Sequence, residues 1–484
     1  MKKILYSTTA LIILLFTIFT GKAQSDIDAF RFSQTNWEGT ARFMGAGGAF
    51  GAVGAEYSAL NINPATIGVY KKNEMTFTPL VVSVMKSKAD YNNSVSPFLS
   101  SNYNLSNFGL VLKAPGSSRT KWQGVQFGFG YNRINDFNNA FRVEGMSRNS
   151  SMAEVFVNAA NGTDYRNLSG DLDLAFMTYL MDTVSGSTNQ YFSPFEGKNV
   201  QQKKYTQTSG AIDEMNITVG GNYNDQLYIG ATLGIPFVKY KEVSEYEETD
   251  VNDEVGGLES FVMKDILRVR GTGVNLKLGI IYQPLEYLRI GLAFHTPTFY
   301  NNLKDNFYRS MYTDYDNGSG SDIYEYENRY NYKLVTPLRA IGSVAFLIQK
   351  RAFISADYEF THYGLMNMFS NDYAFTAENQ TIQDKYGAGH AIRIGSEVFL
   401  TNRFLIRLGY GFKSNPYARN ADNHSNSHQA SAGFGFRSRS FFFDLAYAVR
   451  FAHESYWLYD ASYVNAAENK YTTHKFLATL GFKF

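Results

Sequence analysis

Apolar and polar residues alternate in short segments along most of the chain after residue 74. The last segment is the clearest. Every second side chain from Phe476 to Phe484 is apolar or aromatic, and Lys475 and Lys483 occupy the other register. Alternation of period two predicts a strand with two unlike faces, and about ten residues is the length that a tilted strand needs to cross a bilayer. The pattern therefore predicts membrane-spanning β-strands.

Similar segments recur and predict an all-β fold, an antiparallel transmembrane β-barrel of about fourteen strands, an even number as in single-chain bacterial barrels. The predicted strands lie at 74–86, 103–113, 122–134, 206–222, 226–245, 260–282, 286–299, 332–348, 352–365, 386–400, 403–414, 427–437, 441–454 and 471–484.

Charged residues in these segments fall in the register opposite the apolar one. A charge facing lipid at the bilayer midplane costs roughly 2–4 kcal/mol, so these side chains are expected to point into the lumen. The candidate lumen charges are Arg289, Arg393, Glu397, Arg407 and Arg450. We favour a network that satisfies polar groups and holds an internal segment. The alternative is that one or two of the arginines receive a ligand carboxylate, for which Arg is well suited.

The connections between the predicted strands alternate in length. Short turns at 222–225, 283–285, 349–351, 401–402 and 437–440 alternate with long polar connections at 87–102, 135–205, 246–259, 300–331, 366–385, 415–426 and 455–470. In outer-membrane barrels the short turns face the periplasm and the long loops face outside. We therefore expect both chain termini on the periplasmic side.

Composition agrees with a barrel and narrows the possible partners. The chain has 35 tyrosines and 39 phenylalanines, yet its mean hydropathy is −0.27, as expected where one strand face meets lipid and the other meets water. With 45 basic and 44 acidic residues the net charge is +1, so no nucleic-acid partner is indicated. The chain has no cysteine and so no disulfide.

The first residues have the features of an export signal. Met1-Lys2-Lys3 is followed by an apolar run to Phe19 and by small residues before position 24, which predicts a signal peptide at 1–23. No later stretch offers 18 consecutive apolar residues, so no transmembrane helix is predicted for the mature chain.

A glycine- and alanine-rich stretch at 39–65 follows this signal. It loosely matches a dinucleotide fingerprint, but no apolar strand precedes it and no βαβ unit follows, so nucleotide binding is not expected. Small side chains allow close approach of backbones, so the stretch could thread a confined space as a plug, or form a flexible leader. Its marker residues are Gly45, Gly47, Gly48, Asn63, Pro64 and Ala65.

These residues resemble the N-terminal hatch of the FadL/TodX family of outer-membrane transporters for long-chain fatty acids and other hydrophobic compounds. The matching residues are Ala41-Arg42, Met44-Gly45, Gly47 to Phe50, Ala52-Val53, Ser58-Ala59 and Asn63-Pro64-Ala65. The chain departs at Ala55-Glu56-Tyr57, where the family often has paired aspartates.

The resemblance implies a hatch at 24–72 inside a barrel at 73–484, located as a multi-pass protein in the bacterial outer membrane. It implies passive uptake of hydrophobic compounds such as long-chain fatty acids. The implied steps are capture by outer loops, hatch movement and sideways exit at the third strand. The final Phe484 resembles the C-terminal signal that the barrel-assembly machinery recognises.

The longest predicted loop, 135–205, contains a helical pattern and a candidate outer capture patch. The patch consists of Phe156, Leu172, Leu174, Phe176, Met177 and Leu180. We favour these residues packing the loop into an outer cap, and the alternative is an exposed apolar groove that captures a hydrophobic ligand. The family's usual groove uses the third and fourth outer loops, whereas here the second is longest.

The sequence contains no convincing catalytic or metal-binding motif. We therefore expect no enzyme activity, no metal and no cofactor. Expected partners are outer-membrane lipid, a hydrophobic small-molecule ligand and the barrel-assembly machinery, with the chain a monomer. Two alternatives for such a barrel are a haem receptor and a protein-secretion shuttle or scaffold.

Overall fold

The computed structural model describes residues 26–116, 120–349, 351–418, 421, 423 and 425–484, so the predicted signal peptide at 1–23 lies outside the described residues. In the described chain, fourteen antiparallel strands close into a barrel in which β14 pairs with β1. The strands are β1 (Glu74–Tyr91), β2 (Ser94–Asn104 and Asn107–Pro115), β3 (Trp122–Asp136 and Asn139–Met146), β4 (Gln201–Tyr223), β5 (Leu227–Thr249), β6 (Ser260–Leu285), β7 (Leu288–His295 and Phe299–Asp314), β8 (Tyr324–Val335 and Arg339–Ile348), β9 (Ala352–His362 and Asn367–Phe369), β10 (Ala388–Phe399), β11 (Phe404–Lys413), β12 (Ser427–Arg437), β13 (Phe441–Tyr456) and β14 (Ala467–Lys483).

Helices lie before β1 and in two of the long connections. They are α1 (Asp26–Ser33), α2 (Ala41–Gly45), α3 (Met152–Ala160), α4 (Asp171–Met177) and α5 (Thr376–Lys385). Single 3₁₀ turns occupy Tyr57–Asn61, Pro64–Val69, Tyr165–Asn167 and Tyr363–Leu365, and Asp182–Thr183 pairs with Tyr191–Phe192 in a small hairpin. Among the described residues, no helix combines the length and apolar character needed to span a membrane.

The barrel is apolar outside and polar inside, as predicted. On β11, Leu408 is 61% exposed, whereas its neighbour Arg407 is 1% exposed. The same alternation holds on β13, where Leu445 is exposed and Asp444 is fully buried. The predicted fourteen-stranded antiparallel barrel is confirmed.

The prediction of loops at two places is wrong, because strands continue there beyond the apolar band. Positions 87–102 form the upper hairpin of β1 and β2, closed by Asn92 and Asn93, whose φ values are 46° and 70°. Positions 300–331 are mostly the paired upper parts of β7 and β8. Polar and apolar side chains are mixed on both faces here, so cross-strand pairing holds the strands without leaving a regular apolar period in the sequence.

The chain from residue 26 to residue 72, called the lumenal segment below, lies inside the barrel against inward-facing side chains of many strands. Its start is near the outer end, because the Asp26 carboxylate accepts hydrogen bonds from Lys385 Nζ (2.7 Å) and Tyr386 Oη (3.0 Å), just before the outer end of β10. The expectation that the N-terminal side lies at the periplasmic end is therefore wrong. The segment descends the lumen and reaches the short-turn end at Glu74.

Candidate functional site

The motif Asn63-Pro64-Ala65 seats the lower part of the lumenal segment on the barrel wall. The Asn63 amide donates to the carbonyl oxygens of Gly51 (2.8 Å) and Ile280 (3.2 Å), and its oxygen accepts from Ala65 N–H (3.0 Å). A Cβ added to the facing wall residues Gly230 or Gly279 would overlap this motif. Wall glycines thus allow the segment's backbone to approach β5 and β6 closely.

The turn at Gly45 to Gly48 also approaches the barrel wall closely through small residues, on the opposite side of the lumen. Gly47 has φ +61°, and a Cβ there would lie 2.9 Å from the backbone nitrogen of Tyr410. Gly45 faces Gly433 in the same way, with an added Cβ 3.1 Å from its Cα. These contacts require small residues on both surfaces. The six predicted hatch residues therefore form two contact points between the segment and the wall.

Buried ion pairs connect the lower segment to β10, β11 and β13. Arg42 donates to both carboxylate oxygens of Glu397, each at 2.9 Å. Glu397 also accepts from Arg407 Nε (2.6 Å), and Arg407 lies 2.8 Å from Asp444. Bidentate Arg–carboxylate pairs are strong and directional. Removing one member would leave the others charged and buried, which is costly.

The other predicted lumen charges also have partners within the protein. Arg393 pairs with Glu359 (3.2 Å). Arg289 donates to the carbonyl oxygen of Val53 (2.5 Å), and Arg450 donates to the Asn36 side chain (3.2 Å). These contacts match a network that holds the lumenal segment in place.

A cavity of about 580 Å³ lies below the segment at the short-turn end. Glu56 borders it and accepts hydrogen bonds from Thr40 Oγ1 and from Ala59 N–H (2.9 Å). Burial raises the pKa of Glu56 to about 7, although the hydrogen bond from Thr40 and the charge of Arg42 act in the opposite direction. The carboxyl therefore titrates close to neutral pH while it caps the turn at Tyr57.

The upper lumen contains a large cluster of aromatic and aliphatic side chains, beside the buried acids Asp28 and Asp305. Helix α1 places Phe30 and Phe32 among aromatic and aliphatic side chains of β3 to β9. The Phe32 ring lies edge-on to Phe137 (centroids 6.0 Å apart) and to Tyr240 (5.9 Å). We call this group the upper chamber. Its members are Ala29, Phe30, Phe32, Phe137, Ile212, Val238, Tyr240, Val269, Tyr300, Leu303, Tyr332, Leu334, Met366, Met368, Phe375, Ile382 and Tyr386.

The barrel wall is interrupted beside this chamber. Strand β3 breaks at Phe137 and Asn138, and its upper part, 139–146, pairs with β4 but has no register with the upper part of β2 in the described chain. Ser87 Oγ on β1 donates to the Ala140 carbonyl (3.3 Å). Because the Phe98 ring on β2 lies 5.4 Å from the Tyr205 ring on β4, the upper part of β2 lies over the outside of β3. We call this discontinuity the seam.

The loop at 147–200 covers the outer mouth. Phe156, Leu174 and Leu180 are buried in its core, Leu172 and Phe176 are half-buried, and Met177 is 41% exposed. Most of the predicted capture patch therefore packs inside a cap, with an apolar edge at Met177.

Two charged groups fasten this cap to the strands. Glu248 on β5 accepts from the Met152 N–H (2.9 Å) and the Ser151 hydroxyl at the start of α3. Arg309 on β7 bridges Asp171 of α4 (2.5 Å) and Asp265 (2.7 Å). Sequence reasoning missed Glu248 and Arg309, because both lie in stretches, 246–259 and 300–331, that are predicted as long polar connections.

Sequence reasoning also missed the upper chamber. Phe30 and Phe32 lie close after the predicted export signal, and this aromatic pair is the sequence signal that could have indicated an apolar contact. The wall break at Phe137 has no local sequence marker beyond the polar Asn138-Asn139. Among the described residues, no group of three or more His, Cys, Asp or Glu side chains is arranged to hold a metal ion.

Comparison with known proteins identifies the fold that this geometry belongs to. No family model and no curated protein matches the chain. Solved structures do: a Pseudomonas aeruginosa FadL homologue (13% identity, TM-score 0.54), the Pseudomonas putida toluene transporter TodX (13%, 0.52) and the Ralstonia pickettii toluene transporter TbuX (13%, 0.51). Each match covers 93% of this chain and 99% of the other. The chain therefore has the fold of these outer-membrane barrels, in agreement with the resemblance of its residues.

Proposed function

We propose that this chain is a FadL/TodX-type channel of the bacterial outer membrane for hydrophobic small molecules, with long-chain fatty acids as the ligand class that its motifs suggest. It acts by passive uptake and is not an enzyme. The hatch-like motif, the barrel fold and the inside-out wall support this proposal. An apolar molecule crosses the hydrated outer surface poorly, and an apolar route through a protein removes that barrier.

The observation that carries the proposal is the position of the upper chamber directly behind the seam. Phe137 lines the chamber and also marks the break in β3. A hydrophobic ligand in the chamber would meet an unpaired part of the wall, through which it could leave sideways into lipid. The proposed path runs from the edge of the cap, past α1, into the chamber and out at the seam.

Helix α1 is the proposed moving part of the hatch. It fills the chamber with Phe30 and Phe32, so a ligand must displace it. The lower segment is held by buried ion pairs and by backbone contact with wall glycines. In this mechanism the lower segment stays in place and keeps the barrel closed to water while α1 shifts.

The first test is mass spectrometry of ligands retained when the barrel is purified from outer membranes in mild detergent. A fatty acid or another apolar molecule at near-stoichiometric amount, lost in Phe32→Arg, would support the proposal. A haem absorbance band would favour a haem receptor. An empty barrel that retains a secreted protein would favour a shuttle or scaffold.

The second test closes the seam. Asn104 Nδ2 donates to Asp136 Oδ2 (3.0 Å) across its lower end. The chain has no cysteine, so Asn104→Cys with Asp136→Cys gives one possible disulfide. Uptake of a fluorescent fatty acid should fall in the oxidised variant and recover on reduction.

The matched control joins two strands that already pair. Val219 and Ala231 are direct cross-strand partners on β4 and β5, so Val219→Cys with Ala231→Cys should leave uptake unchanged in both redox states. Equal uptake by the oxidised and reduced seam variants would exclude lateral exit at this position.

We also propose that the barrel-assembly machinery recognises Phe484. Its ring lies beside β14 and is 64% exposed on the outer face, where the machinery can contact it. Phe484→Ser should lower the amount of folded barrel in the membrane. We propose a monomer as the functional unit.

A further inference from the structure

An unpaired cluster of basic side chains lies on the outer face of β5, β6 and β7. Lys239, Arg270 and Lys304 are direct cross-strand neighbours in one row. Lys241 and Arg268 are paired with each other in the next row toward the outer end. All five side chains are exposed. We call these five residues the basic patch.

The patch begins where the apolar band ends. On β5, Phe237 is the last apolar outward residue before Lys239, and the alternation with buried Val238 and Tyr240 shows that both point outward. On β6, the outward Val274 is followed upward by Thr272 and then Arg270. Two residues of a strand advance about 6.6 Å. The first row therefore lies within one headgroup depth of the lipid tails.

The five cations have no ion pair among the described residues. Acids on these and neighbouring strands have other ion-pair partners: Asp213 pairs with Arg133 (2.9 Å), Glu327 with Arg329 (3.2 Å) and the inward-facing Glu242 with Arg31 (3.3 Å). Glu327 also interacts electrostatically with Arg268 but forms no ion pair with it. Like charges directly opposite on a sheet repel each other. An arrangement that places three in a row calls for an anionic partner from outside the protein.

We propose that the basic patch binds the phosphate groups of outer-leaflet lipid. Adjacent strands are about 4.8 Å apart, so the row of three spans about 10 Å, which suits the headgroup of a lipid that carries more than one phosphate. Arg270 can hold phosphate oxygens through two N–H groups, while the lysines act as point charges. The position of the basic patch at the edge of the apolar band and its positive charge both favour an anionic lipid headgroup as the bound partner. The inference rests on the outer-membrane orientation proposed above and adds a lipid site outside the lumen.

The test measures lipid bound to the purified barrel by native mass spectrometry, with diphosphoryl lipid A and its dephosphorylated form as probes. The row variant Lys239→Gln with Arg270→Gln and Lys304→Gln should bind fewer copies of diphosphoryl lipid A than the natural chain. Binding of the dephosphorylated lipid should not change. The expected physical cause is the loss of charge-assisted hydrogen bonds to phosphate.

The control removes the same charge from the short-turn end. Lys121, Arg351 and Arg403 are exposed there, and Lys121→Gln with Arg351→Gln and Arg403→Gln should bind diphosphoryl lipid A as the natural chain does. Equal loss in both variants, or no loss in the row variant, would overturn the proposal. Retention of an apolar ligand in the lumen is measured separately, so failure of this inference is distinguishable from failure of the proposed channel function.

Discussion

The lower and upper halves of the lumen are filled by the same N-terminal chain but held by different balances of polar and apolar interaction. The lower segment has backbone-to-backbone contact with wall glycines and the buried Arg42–Glu397–Arg407 network. The upper part, α1, is held mainly by aromatic packing, together with the ion pair of Arg31 and Glu242 (3.3 Å) and the partly exposed pair of Asp26 and Lys385. Directional buried ion pairs tolerate little displacement, whereas apolar contacts can be exchanged for those of an apolar ligand. This difference suggests a fixed lower plug and a movable upper helix.

The largest effect should come from breaking the lower network. Glu397→Gln removes the carboxylate shared by Arg42 and Arg407, so that Arg42 loses its ion pair and Arg407 keeps only Asp444. Breaking a buried ion pair typically costs about 3–5 kcal/mol. Hydrogen exchange should show this loss as faster exchange at 41–48. Glu259→Gln, at an exposed site in a loop, is the control and should have no effect there.

The second prediction concerns the upper chamber. Phe32→Ala should weaken the docking of α1 by about 3–5 kcal/mol, as expected when a buried aromatic ring is removed. Exchange should accelerate in α1 and stay slow at 41–48. Ile27→Ala on the same helix is the control, because Ile27 is half exposed. If Phe32→Ala accelerates exchange equally in both regions, the two halves form one rigid unit, and α1 does not move independently of the lower segment.

The third prediction concerns pH at the base of the lower segment. The pKa of Glu56 is raised to about 7 by burial, so the folded segment prefers the protonated carboxyl. The contribution of protonated Glu56 to the stability of the folded segment is complete below the ordinary pKa of a glutamate. It is lost as pH rises through about 7, and the loss is roughly 3 kcal/mol.

Hydrogen exchange at 56–61, corrected for intrinsic rates, should therefore be slower at pH 5 than at pH 8, and Glu56→Gln should remove the difference. A natural chain that is equally protected at both pH values would contradict the assignment.

The smallest effect is expected at the outer end of α1. Lys385→Ala removes a salt bridge to Asp26 whose lysine is one-third exposed, and such pairs contribute about 0.2–1 kcal/mol. Exchange in α1 should change slightly, and the change should decrease in high salt. An effect as large as that of Phe32→Ala would mean that charge, and not aromatic packing, holds the helix.

The sequence by itself determined the barrel, its strand number and its inside-out character. Period-two alternation is a local property, and the cost of placing charge in lipid fixes which register faces inward, as Arg407 beside Leu408 illustrates. The motif at Asn63 to Ala65 likewise predicted a turn, because its turn chemistry is local, whereas its place in a hatch was implied by the resemblance to the FadL/TodX family.

The tertiary structure decided what depends on distant partners. The strands at 87–102 and 300–331 are stabilised by polar neighbours on other strands, so no period revealed them. The outward displacement of β2 at the seam, the place of α1 near the outer end and the burial of Phe156 and Leu174 in the cap all depend on contacts between residues far apart in sequence. The sequence pattern shows which face of a strand is apolar. Only the folded barrel shows which apolar groups meet.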